Sequence, residues 1–200
     1  VVGVKVRVGQ IASGSNGVAP LDIALEVAEE AGLPVMAHLD YPPPSRREVV
    51  DRLRPGDVLT HCFRPFPNAP VRGNGRIFDE ILQARERGVI FDIGHGMGSF
   101  GFTTARSMLE NNFLPDVISS DVHSLSMPGP AVDLSVTMSK FLCLGMPLDK
   151  VIAASTCEPA KAIRREDLGT LKPGSLADAT VLTLQELSLI HISEPTRPSQ

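Results

Sequence analysis

Residues 33–63 read LPVMAHLDYPPPSRREVVDRLRPGDVLTHCF, and this stretch holds the repeating unit of the chain. Leu33–His38 and Asp57–Phe63 are short apolar runs of strand length, each carrying a histidine near its end, His38 and His61. Between them Ser45 predicts a helix N-cap, with Glu48 in the capping-box position and the helix running through Leu53. Pro55-Gly56 then turns the chain into the second strand.

Outward from this unit the same rhythm continues. Val1–Val8 reads as a buried strand, and residues from Ala19 to Ala31 place Leu21, Ala24, Leu25 and Ala28 on one helical face before Gly32 stops the helix. Downstream, a Pro/Gly/Asn-rich loop from Arg64 to Arg76 leads to a helix over Ile77–Arg87 and a strand over Val89–His95. A helix over Phe102–Asn112 and a strand over Val117–Asp121 come next, then an amphipathic helix marked by Leu134, Met138, Phe141 and Leu142. Five strands alternating with helices predict an α/β fold with a parallel sheet. Period alone accommodates both a doubly wound open sheet and a (β/α)8 barrel.

The bulk numbers narrow the function classes. A chain of 200 residues, 42% hydrophobic and 21% charged, is long enough for one sizeable core and a small appendage. A net charge of −4 provides no basic field for a phosphate backbone, so no nucleic-acid partner is expected. No apolar run reaches bilayer length and no signal pattern opens the chain, so neither membrane nor export is expected. Cys62, Cys143 and Cys157 are odd in number and lack metal-finger spacing, which fits a reduced, cytoplasmic setting. The chain opens on Val1 within a strand-like run, and the expectation is that it is cut from a longer protein.

The polar residues carry the chemistry. Lys5 in VVGVKVRV, His38, His61, His95 in VIFDIGHG and Asp121 in VISSDVH each stand at or near the C-terminal end of a strand. That is the end at which α/β barrels place their active sites. One histidine after a strand reads first as a satisfied core or loop residue; five strand ends of this kind point to a site. Neutral imidazoles and a carboxylate suit zinc and similar ions, which bring the pKa of a bound water to roughly 7. A neighbouring carboxylate can then take the water's proton and pass it to a leaving group. Lys5 fits only if desolvation frees its amine to react with carbon dioxide, giving an anionic carbamate between two metals. The competing reading pairs Lys5 with Asp121 in a metal-free barrel.

Arg7 lies on the face of Lys5, nearer the mouth, and can grip a substrate carboxylate or form a salt bridge among the loops. His95 can contact substrate or a carboxylate behind the site, or serve only the tight turn its flanking glycines permit. His123 ranks below these, and Cys62 reads as packing. The glycines of SGSNG and GHGMGSFG do not spell GxGxxG, so no dinucleotide site is expected.

GVKVR, PVMAHLD, DVLTHCF, FDIGHG and SSDVHS together resemble the dihydroorotase-like deacetylase branch of the amidohydrolase superfamily. The resemblance runs from Val1 to Leu184. STCEPAKAI is similar to that family's Thr-x-Asn-Pro-Ala helix, with Glu158 where Asn is usual, and LGTLKPGSLADATVL to its return strand into a small β-sandwich. It implies a partial TIM (β/α)8 barrel, strands four to eight, over residues 1–165, and a β-sandwich remnant over 166–186. It also implies two divalent ions, zinc foremost, shared through carboxylated Lys5. His38 and His61 would bind one ion, and Asp121 would bind the other and act as general base. The family's His-x-His pair is absent from the sequence, so strands one to three are expected to be missing and the fragment inactive alone.

The implied function is metal-dependent hydrolysis of an amide or ester in a small acylated substrate, deacetylase-like, by a parent expected to be a homo-oligomer. Dihydroorotase-type cleavage of a cyclic amide is the rival, and a non-catalytic relative or an open-sheet binding domain the alternatives from other classes. Residues 187–198, LSLIHISEPTRP, resemble the translation of a transposase adapter used in sequencing libraries. The segment 187–200 is therefore set apart as a non-native tail, and His191 is not counted as a ligand.

Overall fold

The computed structural model describes residues 1–176 and 178–186. Its sheet contains β1 (Val4–Val8), β2 (Val35–Leu39), β3 (Val58–Thr60) and β4 (Ile90–Phe91), all parallel and in sequential order. The fifth predicted strand adds to β4 as a parallel bridge between Asp92 and Val117. Ile93 N–H to the Val117 carbonyl and His95 N–H to the Ser119 carbonyl, both at 3.0 Å, prolong that pairing. The connecting helices are α1 (Ala19–Glu30), α2 (Arg46–Val50), α3 (Asp79–Arg87) and α4 (Phe102–Glu110). After the fifth strand come α5 (Leu134–Cys143), α6 (Leu148–Ser155) and α7 (Cys157–Ala162).

The register sorts the side chains into two faces. Lys5 pairs with Met36, Arg7 with His38, and His38 with Thr60, so these residues share one face of the sheet. On the other face Val8, Val35, Ala37, Leu39, Leu59 and Phe91 are buried beneath the helices. Lys5 and Arg7 stay exposed while their alternating neighbours are covered. Helices therefore pack on a single face. A doubly wound sheet covers both, so the arrangement is that of a barrel wall.

Local signals explain the boundaries. The predicted capping box forms: the Ser45 hydroxyl accepts from the Glu48 N–H, and the Glu48 carboxylate accepts from the Ser45 N–H at 2.8 Å. Asp57, just before β3, accepts the Val35 N–H at 2.7 Å and Arg54 Nε at 3.0 Å, tying the start of β2 to β3. β3 is shorter than the predicted Asp57–Phe63 because His61 takes φ +60, which breaks the extended ladder after Thr60.

No strand forms over 166–186 among the described residues, and Val181 and Leu184 are 94% and 63% exposed. A β-sandwich return strand needs a partner to take its backbone hydrogen bonds, and the described residues supply none. The tail assigned to 187–200 lies outside the described residues. No helix among the described residues is long and apolar enough to cross a membrane.

Candidate active site

At the C-terminal ends of the strands lies a cleft of about 430 Å³ lined by Lys5, Arg7, His38, His61, Asp121 and His123, with Met97, Gly98 and Ser99 at its edge. Lys5, Arg7 and His38 reach it by strand alternation. His61 does not: alternation from Thr60 would turn it away, but its left-handed backbone swings the ring back into the cleft. Asp121 also has a left-handed backbone, at φ +46.

The two histidines are joined. Nε2 of His61 stands 2.7 Å from Nδ1 of His38, with the rings edge to face. Nδ1 of His61 lies 2.6 Å from the Gly94 carbonyl oxygen. A carbonyl only accepts, so His61 carries its proton on Nδ1 and its Nε2 lone pair accepts from His38. Burial pushes His38 down to about 2, reinforced by the charges of His61 and Arg64. Burial likewise pushes His61 down to about 3, against the raising effect of the Gly94 hydrogen bond. Both imidazoles are neutral at physiological pH, as metal ligands must be. Desolvation also lowers Lys5, opposed by the Asp92 and Asp121 carboxylates.

Beneath the cleft sits Asp92, which is not among the strand-end residues named above. It is 2% exposed and accepts from the Thr60 hydroxyl at 2.5 Å and the Ser119 hydroxyl at 2.6 Å. Burial raises its pKa, while those hydroxyls and Lys5 pull it down. The signal was present: an acid two residues beyond Ile90 on the same face of an apolar strand.

Of the readings open for His95, the structure gives no contact with the cleft. It is fully buried, its Nε2 lies 2.8 Å from Lys140 Nζ, and its ring stacks on Phe100. It lines no part of the cleft: it stands three positions after inward-facing Asp92, an odd offset that alternation sends to the opposite face. Cys62 is buried, as packing predicts.

The turn Gly94–Gly96 requires its glycines. Both have positive φ, and a Cβ on Gly94 would fall 2.3 Å from Thr60 Oγ1 and 2.8 Å from His61 Nδ1. A Cβ on Gly96 would fall 2.9 Å from the Asp121 carboxylate.

A one-face-covered parallel sheet with ionisable groups at its strand ends is the plan of a barrel enzyme, and comparison with known proteins specifies which. The amidohydrolase family model matches residues 2–197, and the chain belongs to that family. It is 38% identical over 189 residues to a deacetylase of Brucella anthropi, covering 94% of this chain and 47% of that protein. Among solved structures, an adenine deaminase aligns at TM-score 0.85 and 36% identity over 89% of this chain and 49% of that one. A dihydroorotase aligns at TM-score 0.74 and 37% identity over 84% of this chain and 45% of that one. The chain spans about half the length of the curated relatives it matches.

Proposed function

We propose that the chain carries part of the active site of a metal-dependent hydrolase that cleaves an amide or ester bond, in the manner of a deacetylase. The observation that carries this reading is the convergence of Lys5, His38, His61 and Asp121 on one cleft at the strand C-termini. The deacetylase names of the Brucella, Agrobacterium and Enterococcus relatives support the acyl chemistry.

By type, the donor set fits a divalent cation: two neutral imidazoles, a carboxylate and a lysine with depressed basicity. By spacing it is incomplete. Among the described residues no group of three or more His, Cys, Asp or Glu side chains converges closely enough to hold an ion. His38 and His61 would hold the ion once their mutual hydrogen bond opens, with Asp121 and Lys5 completing the set. A bound divalent ion supplies Lewis acidity, bringing the pKa of a water to roughly 7.

The chain's own groups do the rest. Asp121 takes a proton from the attacking water and returns it to the leaving nitrogen or oxygen. Arg7, beside His38 across the sheet, offers paired N–H donors to a substrate carboxylate. A neutral Lys5 amine adds to carbon dioxide and releases a proton, leaving a carbamate as an anionic ligand. The sequence contains no His-x-His pair, so we propose that these 200 residues alone turn over little substrate. Dihydroorotase-type cyclic-amide cleavage is the second reading, favoured by the 37% identity to the dihydroorotase structure.

The test pairs metal analysis with assay of N- and O-acetylated carboxylic acids. The chain is compared with a fusion that adds the N-terminal half of a deacetylase relative. Gain of both bound metal and hydrolysis in the fusion is expected. A fusion that binds metal yet hydrolyses neither acylated acids nor cyclic amides would overturn the reading.

A further inference from the structure

Lys140 lies on α5 with 2% of its surface exposed, and no step proposed above uses it. A buried ammonium is costly unless its donors are satisfied, and a methionine would fill the same space without that cost. Here Nζ donates to the Pro130 carbonyl at 2.7 Å and stands 2.8 Å from His95 Nε2. Nδ1 of His95 lies 2.9 Å from the Gly96 carbonyl, which only accepts. His95 therefore carries its proton on Nδ1 and receives Lys140 on Nε2. The result is a directed chain from ammonium to imidazole to carbonyl.

That carbonyl belongs to the turn lying between the two halves of the cleft. Gly94 accepts from His61 Nδ1 at 2.6 Å, the Gly96 N–H donates to Ser120 at 2.9 Å, and Gly96 abuts the Asp121 carboxylate. Pro130 lies in the segment that connects Asp121 to α5.

We infer that Lys140 is a positioning residue: through His95 it clamps the Gly94–Gly96 turn, and the turn orients the His61 ring and bounds the Asp121 carboxylate. The inference rests on the reading of His61 and Asp121 as site residues. It adds that their geometry is set from behind the sheet by a helix that contributes nothing to the cleft itself.

The test uses the 200-residue chain with ¹⁵N-labelled histidine, as wild type, Lys140→Met and Lys140→Arg. Two quantities are read: the His61 Nδ1–H resonance and the affinity for zinc alone. Lys140→Met should shift or broaden the His61 signal and weaken zinc binding about tenfold, the scale of lost support behind a ligand. Lys140→Arg, which keeps buried donors, should restore much of both. Ala28→Gly on α1, a buried site far from the turn, should lower the unfolding midpoint without moving the His61 signal, so general destabilisation is separated from positioning.

If Lys140→Met does not fold, His95→Gln, which removes the imidazole link, carries the same comparison. A folded Lys140→Met whose His61 signal superimposes on wild type would overturn the clamp. If the wild-type chain binds no zinc, the affinity is read on the fusion described above: a His61 signal displaced in Lys140→Met upholds the clamp, and a fusion that also binds no zinc sinks the metal reading instead.

Discussion

Nδ1 of His38 stands 2.7 Å from Nε2 of His61, and the proton between them belongs to His38 because the Gly94 carbonyl has already taken the other position on His61. The pair therefore presents lone pairs in a fixed order. His38 keeps a free Nε2, whereas His61 frees its Nε2 only when His38 moves away.

This asymmetry predicts different costs for removing each ring. His61→Ala leaves the buried Gly94 carbonyl without a donor and should cost about 1–3 kcal/mol of stability. His38→Ala strands only the His61 lone pair at the edge of an open cleft and should cost less than about 1 kcal/mol. Both should weaken zinc binding. Denaturant midpoints and a zinc competition titration check this, and equal destabilisation by the two variants would contradict the tautomer assignment.

The buried histidines also predict acid sensitivity. An unfolded chain protonates these rings near pH 6.5, whereas the folded chain holds His95 down to about 4, His61 to about 3 and His38 to about 2. Acid thus favours the unfolded chain, and stability should fall as pH drops below 6.5, by about 1.4 kcal/mol per pH unit for each group within its window. Asp92 acts oppositely: its raised pKa means its contribution is present below the ordinary 3.8 and lost as pH rises through the folded value. Unfolding midpoints from pH 8 to 4 should decline, and His95→Gln should make the decline shallower. A flat profile from 6.5 to 4.5 would refute this account.

Gly94→Ala is expected to be among the most damaging small substitutions. Its φ of +46 strains any L residue, and the new methyl would overlap Thr60 Oγ1 and the His61 ring. The cost should be about 2–4 kcal/mol, with loss of zinc binding. Gly14→Ala, also at positive φ (+53) but in open space, should cost only about 1–2 kcal/mol and leave zinc binding intact. Similar zinc affinity in both variants would show that the turn does not govern His61.

The sequence made much of this legible, and the failures have physical causes. That Lys5, Arg7 and His38 share one cleft is legible because polar residues at the ends of apolar strands follow a period of two, whereas Asp121 joins them from a left-handed backbone. His61 was placed in the site by pattern, although it arrives there through a left-handed backbone that alternation does not encode. Asp92 is legible as an inward-facing acid, but not its hold on Thr60 and Ser119, which lie on neighbouring strands and are joined to it only by the register. His95 stands at a strand end like the others, yet its environment is decided by Lys140, 45 residues later. The motif of the segment 166–186 speaks for a return strand only where partner strands take its backbone hydrogen bonds, and among the described residues there are none.

Arg7 carries the last prediction, which concerns what the cleft selects. It sits opposite His38 in the sheet register, lines the cleft, and takes no part in the ion pairs among the described residues. A guanidinium left without a carboxylate beside two neutral imidazoles is suited to an anionic group on the ligand. Charge-assisted hydrogen bonds contribute about 1.5–3 kcal/mol, so Arg7→Met should weaken binding of an N-acetylated carboxylic acid by about 10–100-fold. Binding of its methyl ester should hardly change, because the ester offers no charge. Titration calorimetry on the fusion carrying Asp121→Asn, with and without Arg7→Met, reads binding without turnover. Equal losses for acid and ester would make Arg7 a structural residue, and no loss for either would assign it to a salt bridge among the loops.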